Sequence, residues 1–369
     1  MRTLSILGLS VAALVGTTAS SASFAGAPGR LAYFYAAELW SLSADGSSVR
    51  PLGPGLSPAW SPNGRLIAFD AVVNGNDDVW VMRADGSGRR RITRNAAPDY
   101  FAGWSPDGTR LVFTSDRGGE DLYTIRADGT DERRLTQDPR PDWGASWSPD
   151  GRWIAFAGNA HDNLEIELVD PAGGGRHALT NDPERDYDPA WSPDGTKIAF
   201  TTERDGNANV YVMNADGTGL TRLTDDPSGD WRPAWSPDGR LIAFESDRDD
   251  TVFDRDVFVM NADGSGQHRL RSGNVNARDL DWQPVIDLTL SLRRSGRSLV
   301  AEVRNLSPAP ALRVRLKVTA GGMSRTRVLG TLTPGDVTTV RIAARRAAAL
   351  VSAWQIDPNP RDNGAVVSN

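Results

Sequence analysis

The stretch Pro189-Ala190-Trp191-Ser192-Pro193-Asp194-Gly195 recurs along this chain and decides how the chain is organised. Its copies contain the tryptophans Trp60, Trp104, Trp147, Trp191, Trp235 and Trp282, and the last copy keeps little more than the Trp and the Pro. Successive tryptophans are separated by 44, 43, 44, 44 and 47 residues. A fixed period of this size predicts a repeat architecture, a propeller or a solenoid, in which each repeat is one supersecondary unit.

One period, residues 189–230, contains the signals of four strands. The motif itself supplies a short apolar strand and a Pro-Asp-Gly turn. Residues 197–201 are rich in β-formers, residues 210–213 alternate in polarity, and residues 220–224 complete the period. An Ala-Asp-Gly-Thr hairpin at residues 215–218 joins the last two strands. We name the four strands inner, second, third and outer.

The tryptophan motifs and the hairpins are out of phase at the two ends of the repeat region. The first hairpin, around Asp45, precedes the first tryptophan motif, and Trp282 has no hairpin after it. The simplest closure makes one blade from both ends, with residues 31–52 as three outer strands and residues 280–283 as the inner strand. Such a clasp removes the open edge of a linear stack. We therefore predict an all-β fold with a six-bladed β-propeller in residues 26–284.

The two ends of the chain carry different signals. Residues 1–25 hold one arginine, an apolar run from Leu4 to Val15 and then small residues, which predicts a secretory signal peptide. No later segment approaches about 20 apolar residues, so no membrane-spanning helix is expected after cleavage. Residues 285–369 contain about seven short strand signals and predict a small Ig-like β-sandwich. We expect export to the periplasm, the cell surface or the medium.

Composition excludes several classes of function. The chain has no cysteine, which removes thiol catalysis, cysteine-ligated zinc and redox chemistry. Residues 285–369 hold 13 Arg and Lys against 5 Asp and Glu, a net charge of +8, whereas the preceding residues carry −14. An acidic propeller would repel phosphate, so nucleic acid is not an expected partner. No cofactor is expected, and we expect a monomer.

The repeat resembles that of TolB-type six-bladed propellers. The shared features are Trp-Ser-Pro-Asp-Gly, then Ile-Ala-Phe, then Val-Tyr-Val-Met-Asn-Ala-Asp-Gly-Thr and Arg-Leu-Thr, over residues 31–284. The resemblance implies a propeller that binds partners and a link to the Tol–Pal envelope system, although TolB proteins carry an α/β domain before the propeller. The C-terminal residues, with Asp-Leu-Thr-Leu at 287–290 and Leu-Thr-Pro-Gly at 332–335, resemble the CARDB group of adhesion-type domains.

Strand direction places the repeated turns on one face and the variable loops on the other, where binding sites usually lie. Five positions before four of the tryptophans stands an Asp followed by an aromatic residue, which we expect at the mouth of the central channel. These eight candidate ligand-binding residues are Asp99, Tyr100, Asp142, Trp143, Asp186, Tyr187, Asp230 and Trp231. A purely structural interpretation is that the aromatics pack between blades while each Asp caps a backbone amide, and repetition in every blade favours it.

Other functional classes have weaker signals. The loops after the second strands are acidic, with five carboxylates in residues 247–256, but their spacing fits no calcium loop, so no metal site is predicted. His161, His177 and His268 are scattered, and there is no Gly-x-Ser-x-Gly elbow, so no catalytic residue is predicted.

We predict an exported, non-enzymatic binding protein that holds a protein or peptide, or else a polysaccharide or other envelope component, at its channel mouth. One alternative is a carbohydrate-active hydrolase or lyase, whose two carboxylates would lie about 5–9 Å apart. A second alternative is an envelope-attached spacer.

Overall fold

The structure is a computed structural model, and it describes residues 9–13, 20–22, 29–137, 140–159, 163–248, 255–270, 278–284, 288–295, 298–305, 311–320, 323–332, 337–343 and 349–354. The chain divides into two compact units. One is Pro28–Pro284, and the other combines Met1–Ala27 with Val285–Asn369. In the described part of the first unit the strands form six four-stranded antiparallel sheets, the six blades of a β-propeller.

The blades are designated A to F in the order in which their second strands occur, and strands are numbered in chain order from β1. The inner strands of blades A to F are β26 (Arg278–Trp282), β6 (Leu56–Trp60), β10 (Asp99–Trp104), β14 (Trp143–Trp147), β18 (Asp186–Trp191) and β22 (Asp230–Trp235). The second strands are β3 (Arg30–Tyr35), β7 (Leu66–Val73), β11 (Arg110–Ser115), β15 (Ile154–Gly158), β19 (Lys197–Thr202) and β23 (Leu241–Ser246). The third strands are β4 (Glu38–Ser43), β8 (Asn76–Arg83), β12 (Asp121–Arg126), β16 (Glu165–Val169), β20 (Asn209–Asn214) and β24 (Asp256–Asn261). The outer strands are β5 (Val49–Pro54), β9 (Arg90–Arg91), β13 (Arg133–Arg134), β17 (His177–Ala178), β21 (Thr221–Arg222) and β25 (His268–Arg269).

Blade A is the clasp that the out-of-phase repeats predict. Its inner strand β26 pairs with β3 from the other end of the propeller, with Trp282 opposite Leu31. Gln283 strengthens this closure on two sides. Its backbone amide donates to the carbonyl of Arg30 at 2.7 Å, and its side-chain amide donates to the carbonyl of Gly64 in blade B at 2.8 Å.

The hydrophobic core of the propeller is divided among the junctions between blades. Each junction holds one apolar cluster with residues from two neighbouring blades; blades D and E, for example, share a cluster that contains Ile166 and Phe200. The largest fully buried side chains include one aromatic residue from each second strand: Tyr33, Phe69, Phe113, Phe156, Phe200 and Phe244. A blade therefore depends on both neighbours for the burial of its two faces.

The Ser-Pro-Asp-Gly motif forms a self-contained turn. In blade E the Ser192 hydroxyl donates to Asp194 at 2.6 Å and accepts the amide of Lys197 at 2.9 Å. Asp194 also accepts the amide of Thr196 at 3.0 Å, and Gly195 has a φ of 71°, in the left-handed region that favours glycine. These local bonds explain why the motif is repeated almost without change.

The Ala-Asp-Gly hairpin lies on the same face of the propeller as this turn. The Ala215 amide donates to the carbonyl of Thr196 at 2.9 Å, which holds the hairpin beside the turn of its own blade. A Cβ atom on Gly217 would lie 2.9 Å from the carbonyl oxygen of Leu179 in the preceding blade, so the hairpin requires glycine. We call this face the turn face and the opposite one the loop face.

The second unit contains two four-stranded sheets. One has the order β1 (Leu9–Ala13), β32 (Ala349–Trp354), β29 (Ala311–Ala320) and β30 (Met323–Leu332). The other has the order β2 (Ser20–Ala22), β27 (Leu288–Ser295), β28 (Ser298–Asn305) and β31 (Val337–Ala343).

The pairing of β1 and β2 differs from the expectation that residues 1–25 stay outside the fold. Leu-Ser-Val-Ala-Ala at residues 9–13 is apolar enough for the core of a leader, and its short side chains also suit a strand. A cleaved leader could not supply strands to the exported protein, so the two interpretations exclude each other.

Candidate functional site

The four aspartates predicted at the channel mouth are fully buried within their blades. Asp142, Asp186 and Asp230 each bind an arginine of the same blade through two hydrogen bonds, to Arg176, Arg204 and Arg248 respectively, at distances of 2.8–3.1 Å. Asp99 is bonded by the Asn95 side chain and lies 3.6 Å from Arg117. All four carboxylates are 0% exposed, so a ligand at the mouth cannot reach them.

Each of these arginines also lies over an aromatic ring of its blade. The guanidinium carbon of Arg117 is 4.1 Å from the ring centre of Tyr123, and that of Arg248 is 4.8 Å from Phe258. Arg176 lies over Phe156 and Arg204 over Tyr211 in the same way. The repeated Asp–Arg–aromatic stack joins the inner strand to the second and third strands. Its role is therefore structural, in agreement with the recurrence of the Asp in successive blades.

The four aromatic residues of the predicted site have different surroundings. Trp143 and Tyr187 line the central channel. The Tyr100 hydroxyl donates to Glu120 at 2.5 Å, and the Tyr187 hydroxyl donates to Glu203 at 3.1 Å. The guanidinium of Arg255 covers the Trp231 ring at 3.7 Å. Of the eight predicted residues, the structure brings Trp143 and Tyr187 together in the channel wall.

A different set of residues forms the channel mouth. Three positions before its tryptophan, every inner strand contains a β-bulge, where the ladder with the second strand shifts its register. The residue at the bulge has a left-handed φ of 46–64° in all six blades. These six residues, which we call the bulge ring, are Ser57, Phe101, Gly144, Asp188, Arg232 and Asp279. Left-handed backbone at non-glycine residues costs about 1 kcal/mol or more each, and it concentrates at functional sites.

The bulge ring has a charged half built around Arg232. The guanidinium of Arg232 lies 2.9 Å from Asp279, 3.4 Å from Glu245 and 3.7 Å from Asp188. Glu245 also binds Arg255 at 2.9 Å and accepts the backbone amide of Asp279 at 2.7 Å. The other half of the ring, in blades B to D, is uncharged.

Burial shifts the protonation of two carboxyl groups that line the channel. Desolvation raises the pKa of Asp188 to about 6, against the opposing charge of Arg232. Desolvation also raises the pKa of Asp281 to about 7, although that carboxyl accepts hydrogen bonds from the amides of Trp60 and Trp282. The mouth can therefore change its charge between about pH 6 and pH 7.

The channel enclosed by the inner strands has a volume of about 570 Å³. Its wall contains the bulge ring, five of the six repeat tryptophans (Trp60, Trp104, Trp147, Trp191 and Trp235) and the neighbouring small residues. An aromatic wall with a charged arc at one side can hold a ligand that has both an apolar and a polar part.

The other chemical candidates do not assemble into a site in the described residues. Asp78, Asp121 and Asp256 of the acidic loops are buried against Arg91, Arg134 and Arg269. No group of three or more acidic or histidine residues in the described ranges is placed to hold a metal ion. His177 and His268 lie exposed in different blades, and His161, Asp249, Asp250 and Asp254 lie outside the described residues.

The sequence does contain a signal for the bulge ring. The six positions that lie three residues before a tryptophan hold five different residue types, whereas the tryptophan and the turn after it hardly change. A variable position inside a constant frame is typical of a binding surface on a rigid scaffold.

Comparison with known proteins places this architecture in a family. The TolB beta propeller domain model matches residues 48–187 and 127–307, which together exceed half of the chain. The chain therefore belongs to the TolB β-propeller family.

Individual relatives agree with this placement over shorter stretches. A TolB homolog from Chlorobium luteolum is 35% identical over 71 residues, 19% of this chain and 16% of the relative. The Tol-Pal system protein TolB of Anaeromyxobacter dehalogenans is 39% identical over 70 residues, 18% of this chain and 16% of the relative. The chain thus matches about a sixth of the length of these curated relatives.

The crystal structure of TolB from Acinetobacter baumannii has the same fold. Its TM-score is 0.62 at 23% identity, over 69% of this chain and 67% of that chain. Within the described ranges we found no helix with the length and apolar content that crossing a bilayer requires.

Replacing a buried aspartate should destabilise the propeller. We expect Asp186→Asn to lower the free energy of unfolding by about 3 kcal/mol, because Arg204 loses its fully buried carboxylate partner. Urea denaturation measures the change. Asp263→Asn, at an exposed aspartate, is the control and should change stability by less than about 0.5 kcal/mol. Equal effects of the two substitutions would contradict a structural role for the Asp–Arg–aromatic stack.

Asp281 should make stability depend on pH. Its native pKa of about 7 exceeds the value of about 4 in an unfolded chain, so the native state binds more protons between these values. The stabilisation is complete below pH 4 and is lost as pH rises through 7. We expect Asp281→Ala, which introduces the residue of blades B, E and F, to reduce the fall in unfolding free energy between pH 5 and pH 8. Urea titrations at the two pH values measure it; an unchanged difference would show that Asp281 ionises normally.

Proposed function

We propose that this protein is an exported, non-enzymatic binding protein that holds a segment of a partner protein at the mouth of its channel. One observation carries the proposal. The fold holds the six residues of the bulge ring in the same left-handed geometry, but these residues are of five different types, and Asp alone occurs twice. Because a purely structural position would repeat its side chain, this ring is the part of the propeller suited to recognise a specific partner.

The composition of the mouth supports a peptide with a basic group beside an apolar one. Among the charged residues that line the channel, Asp188, Asp279 and Asp281 outnumber Arg232, so the charged arc is acidic in sum when these carboxyls are ionised. Phe101 and Trp143 provide apolar surface in the opposite half of the channel wall. A chain segment that crosses the mouth can contact both halves at once, whereas a single ion can contact only one.

The family supports a partner in the cell envelope. A relative that shares the repeat is a Tol-Pal system protein, and export of this chain would bring it to the same part of the cell. The residues after 284 would then add an adhesion-type domain, and the alternative of an envelope-attached spacer assigns the attachment to that domain.

The arrangement of charges gives less support to a carbohydrate-active enzyme. A general acid and its partner carboxylate must be accessible to the sugar. The four predicted aspartates are fully buried against arginines or, for Asp99, also against Asn95, and Asp188, Glu245 and Asp279 surround Arg232. A polysaccharide at the mouth would be bound rather than hydrolysed.

The mouth can be tested with substitutions that the repeat itself suggests. Phe101→Ser and Asp279→Ser both introduce the residue of blade B, so the bulge geometry should be kept. Arg232 keeps Glu245 and Asp188 as partners after Asp279→Ser, so both variants should fold, which a melting curve checks. Affinity capture from the envelope fraction, quantified by mass spectrometry, should show partners that the wild type retains and both variants lose at least about tenfold. Arg240→Ser, at an exposed position of the turn face, is the control and should behave as the wild type. Partners retained equally by all four proteins would contradict binding at the mouth.

Export can be tested at the N-terminus. We expect the exported protein to begin near residue 26, because the small residues before that point form the cleavage signal. Intact-mass measurement of protein from the culture medium and from the envelope fraction determines where it begins. An exported protein that retains Met1 would instead favour residues 9–13 and 20–22 as permanent strands of the second unit.

A further inference from the structure

A second cavity lies on the turn face, at the junction of blades D and E. It has a volume of about 630 Å³ and is lined by the Ser148–Asp150 turn, by Trp153, His177 and Leu179 of blade D, and by the Ala215–Thr218 hairpin of blade E. The cavity lies apart from the bulge ring. It adjoins the Ser-Pro-Asp-Gly turns that follow the inner strands, whereas the bulge ring precedes the tryptophans of those strands. Neither the fold nor the proposed binding at the mouth requires a cavity here.

The equivalent places at two other junctions are filled by arginine. His177 stands opposite Leu168 in its blade, as Arg50 stands opposite Ser41 in blade A and Arg90 opposite Val81 in blade B. The guanidinium of Arg50 donates to the carbonyl of Asp85 in the next blade at 2.6 Å. That of Arg90 donates in the same way to the carbonyl of Ala127 at 2.7 Å. In both cases the acceptor belongs to the Ala-Asp-Gly hairpin of the following blade.

A second hydrogen bond joins neighbouring blades at other junctions, and here its donor side chain is replaced by one that cannot donate. Arg89 of blade B donates to the carbonyl of Leu52 in the preceding blade at 2.9 Å, and Gln267 of blade F donates to the carbonyl of Leu223, also at 2.9 Å. The residue at this position in blade E is Leu220, which has no donor and is 43% exposed. Its counterpart acceptor in blade D is the carbonyl of Leu179, which lines the cavity.

Blade D also supplies an aromatic side chain to the cavity wall at a position where the other five blades have no aromatic residue. Trp153 occupies the position of Leu66 in blade B and Leu241 in blade F, since each precedes the second-strand residue paired with the inner tryptophan. The His177 ring packs edge-on against Trp153 with 5.3 Å between ring centres. His177 is held by a 2.7 Å hydrogen bond between its Nδ1 and the carbonyl of Gly175.

The rim of the cavity is acidic. Asp150, Asp194 and Asp216 line it, and no arginine or lysine is among the lining residues. Hydrogen bonds from the hydroxyl and amide of Thr218 hold the pKa of Asp216 below its usual range. Burial acts in the opposite direction at Asp194, but bonds from Ser192 and Thr196 still lower the pKa. These carboxylates are therefore ionised at neutral pH.

We propose that the cavity between blades D and E is a docking site for an arginine side chain of a partner protein. The guanidinium would enter where Arg50 and Arg90 lie at their own junctions, donate to the carbonyls of the Ala215–Thr218 hairpin and of Leu179, and lie against Trp153. The acidic rim attracts the positive charge. This site contains no residue of the bulge ring, although Trp191 lines both the cavity and the channel.

The geometry favours guanidinium over other ligands. Its planar set of N–H donors matches several carbonyl acceptors at once, whereas an ammonium is a single point charge. Stacking of a guanidinium on tryptophan already occurs in this chain, where Arg255 covers Trp231 at 3.7 Å. A sugar would also use an aromatic wall, but it would gain little from three carboxylates around the rim.

The direct test compares two small probes on the full-length protein. Nα-acetyl-arginine methylamide carries the guanidinium, and Nα-acetyl-citrulline methylamide has nearly the same shape without the charge. We expect calorimetry and the indole ¹H–¹⁵N signal of Trp153 to show saturable binding of the arginine probe and at least about tenfold weaker binding of the citrulline probe. Equal affinity for the two probes would overturn the proposal, as would perturbation of Trp153 by a cello-oligosaccharide but not by arginine.

Two substitutions test the assignment to this cavity. His177→Arg introduces the residue of blades A and B, whose guanidinium should fill the cavity, raise the melting temperature and weaken the arginine probe at least about tenfold. Trp153→Leu introduces the residue of blades B and F and should weaken the probe several-fold. His268→Arg makes the same change at the equivalent position of blade F and should leave the probe's affinity unchanged. An affinity that is unchanged in His177→Arg, or reduced equally in His268→Arg, would place the binding elsewhere.

Discussion

The propeller depends on packing between blades, because no blade can bury both of its apolar faces alone. Each of the six apolar clusters contains residues of two neighbouring blades, so the ring is stable only when it is closed. Closure rests on the pairing of β26 with β3 and on Gln283, which binds both Arg30 and Gly64. The Asp–Arg–aromatic stacks then fix the inner strand of four blades against the second and third strands, and this rigidity lets the mouth keep a strained backbone.

Much of the fold could be predicted from the sequence because its determinants are local and repeated. The turn at Ser192–Gly195 makes its own hydrogen bonds, so its sequence alone specifies its shape. The clasp was predictable because the hairpins and the tryptophan motifs are out of phase at the two ends of the repeat region. The arrangement of residues after 284 could not be predicted as firmly, since their strands have no repeat that sets register.

The candidate site was harder to predict because its chemistry depends on partners that are distant in sequence. Asp186 and Asp230 looked like ligand-binding residues until their bonds to Arg204 and Arg248 were known. An arginine 18 residues after the aspartate recurs in three blades, but Asp142 binds Arg176 instead, 34 residues away. The bulge ring depends on backbone geometry: Phe101 and Arg232 share a left-handed φ that neither residue type favours, and no propensity rule assigns it to them.

The clasp also has a consequence for the order in which the molecule can be made. Strand β3 is among the first parts of the propeller to leave the ribosome, and its partner β26 follows more than 200 residues later. Pairs so far apart in sequence form slowly, because a long chain must be ordered before the contact is gained. Until residue 282 has been synthesised, blade A lacks its inner strand and the first and last junctions stay open. The ring therefore cannot close before the last blade is complete.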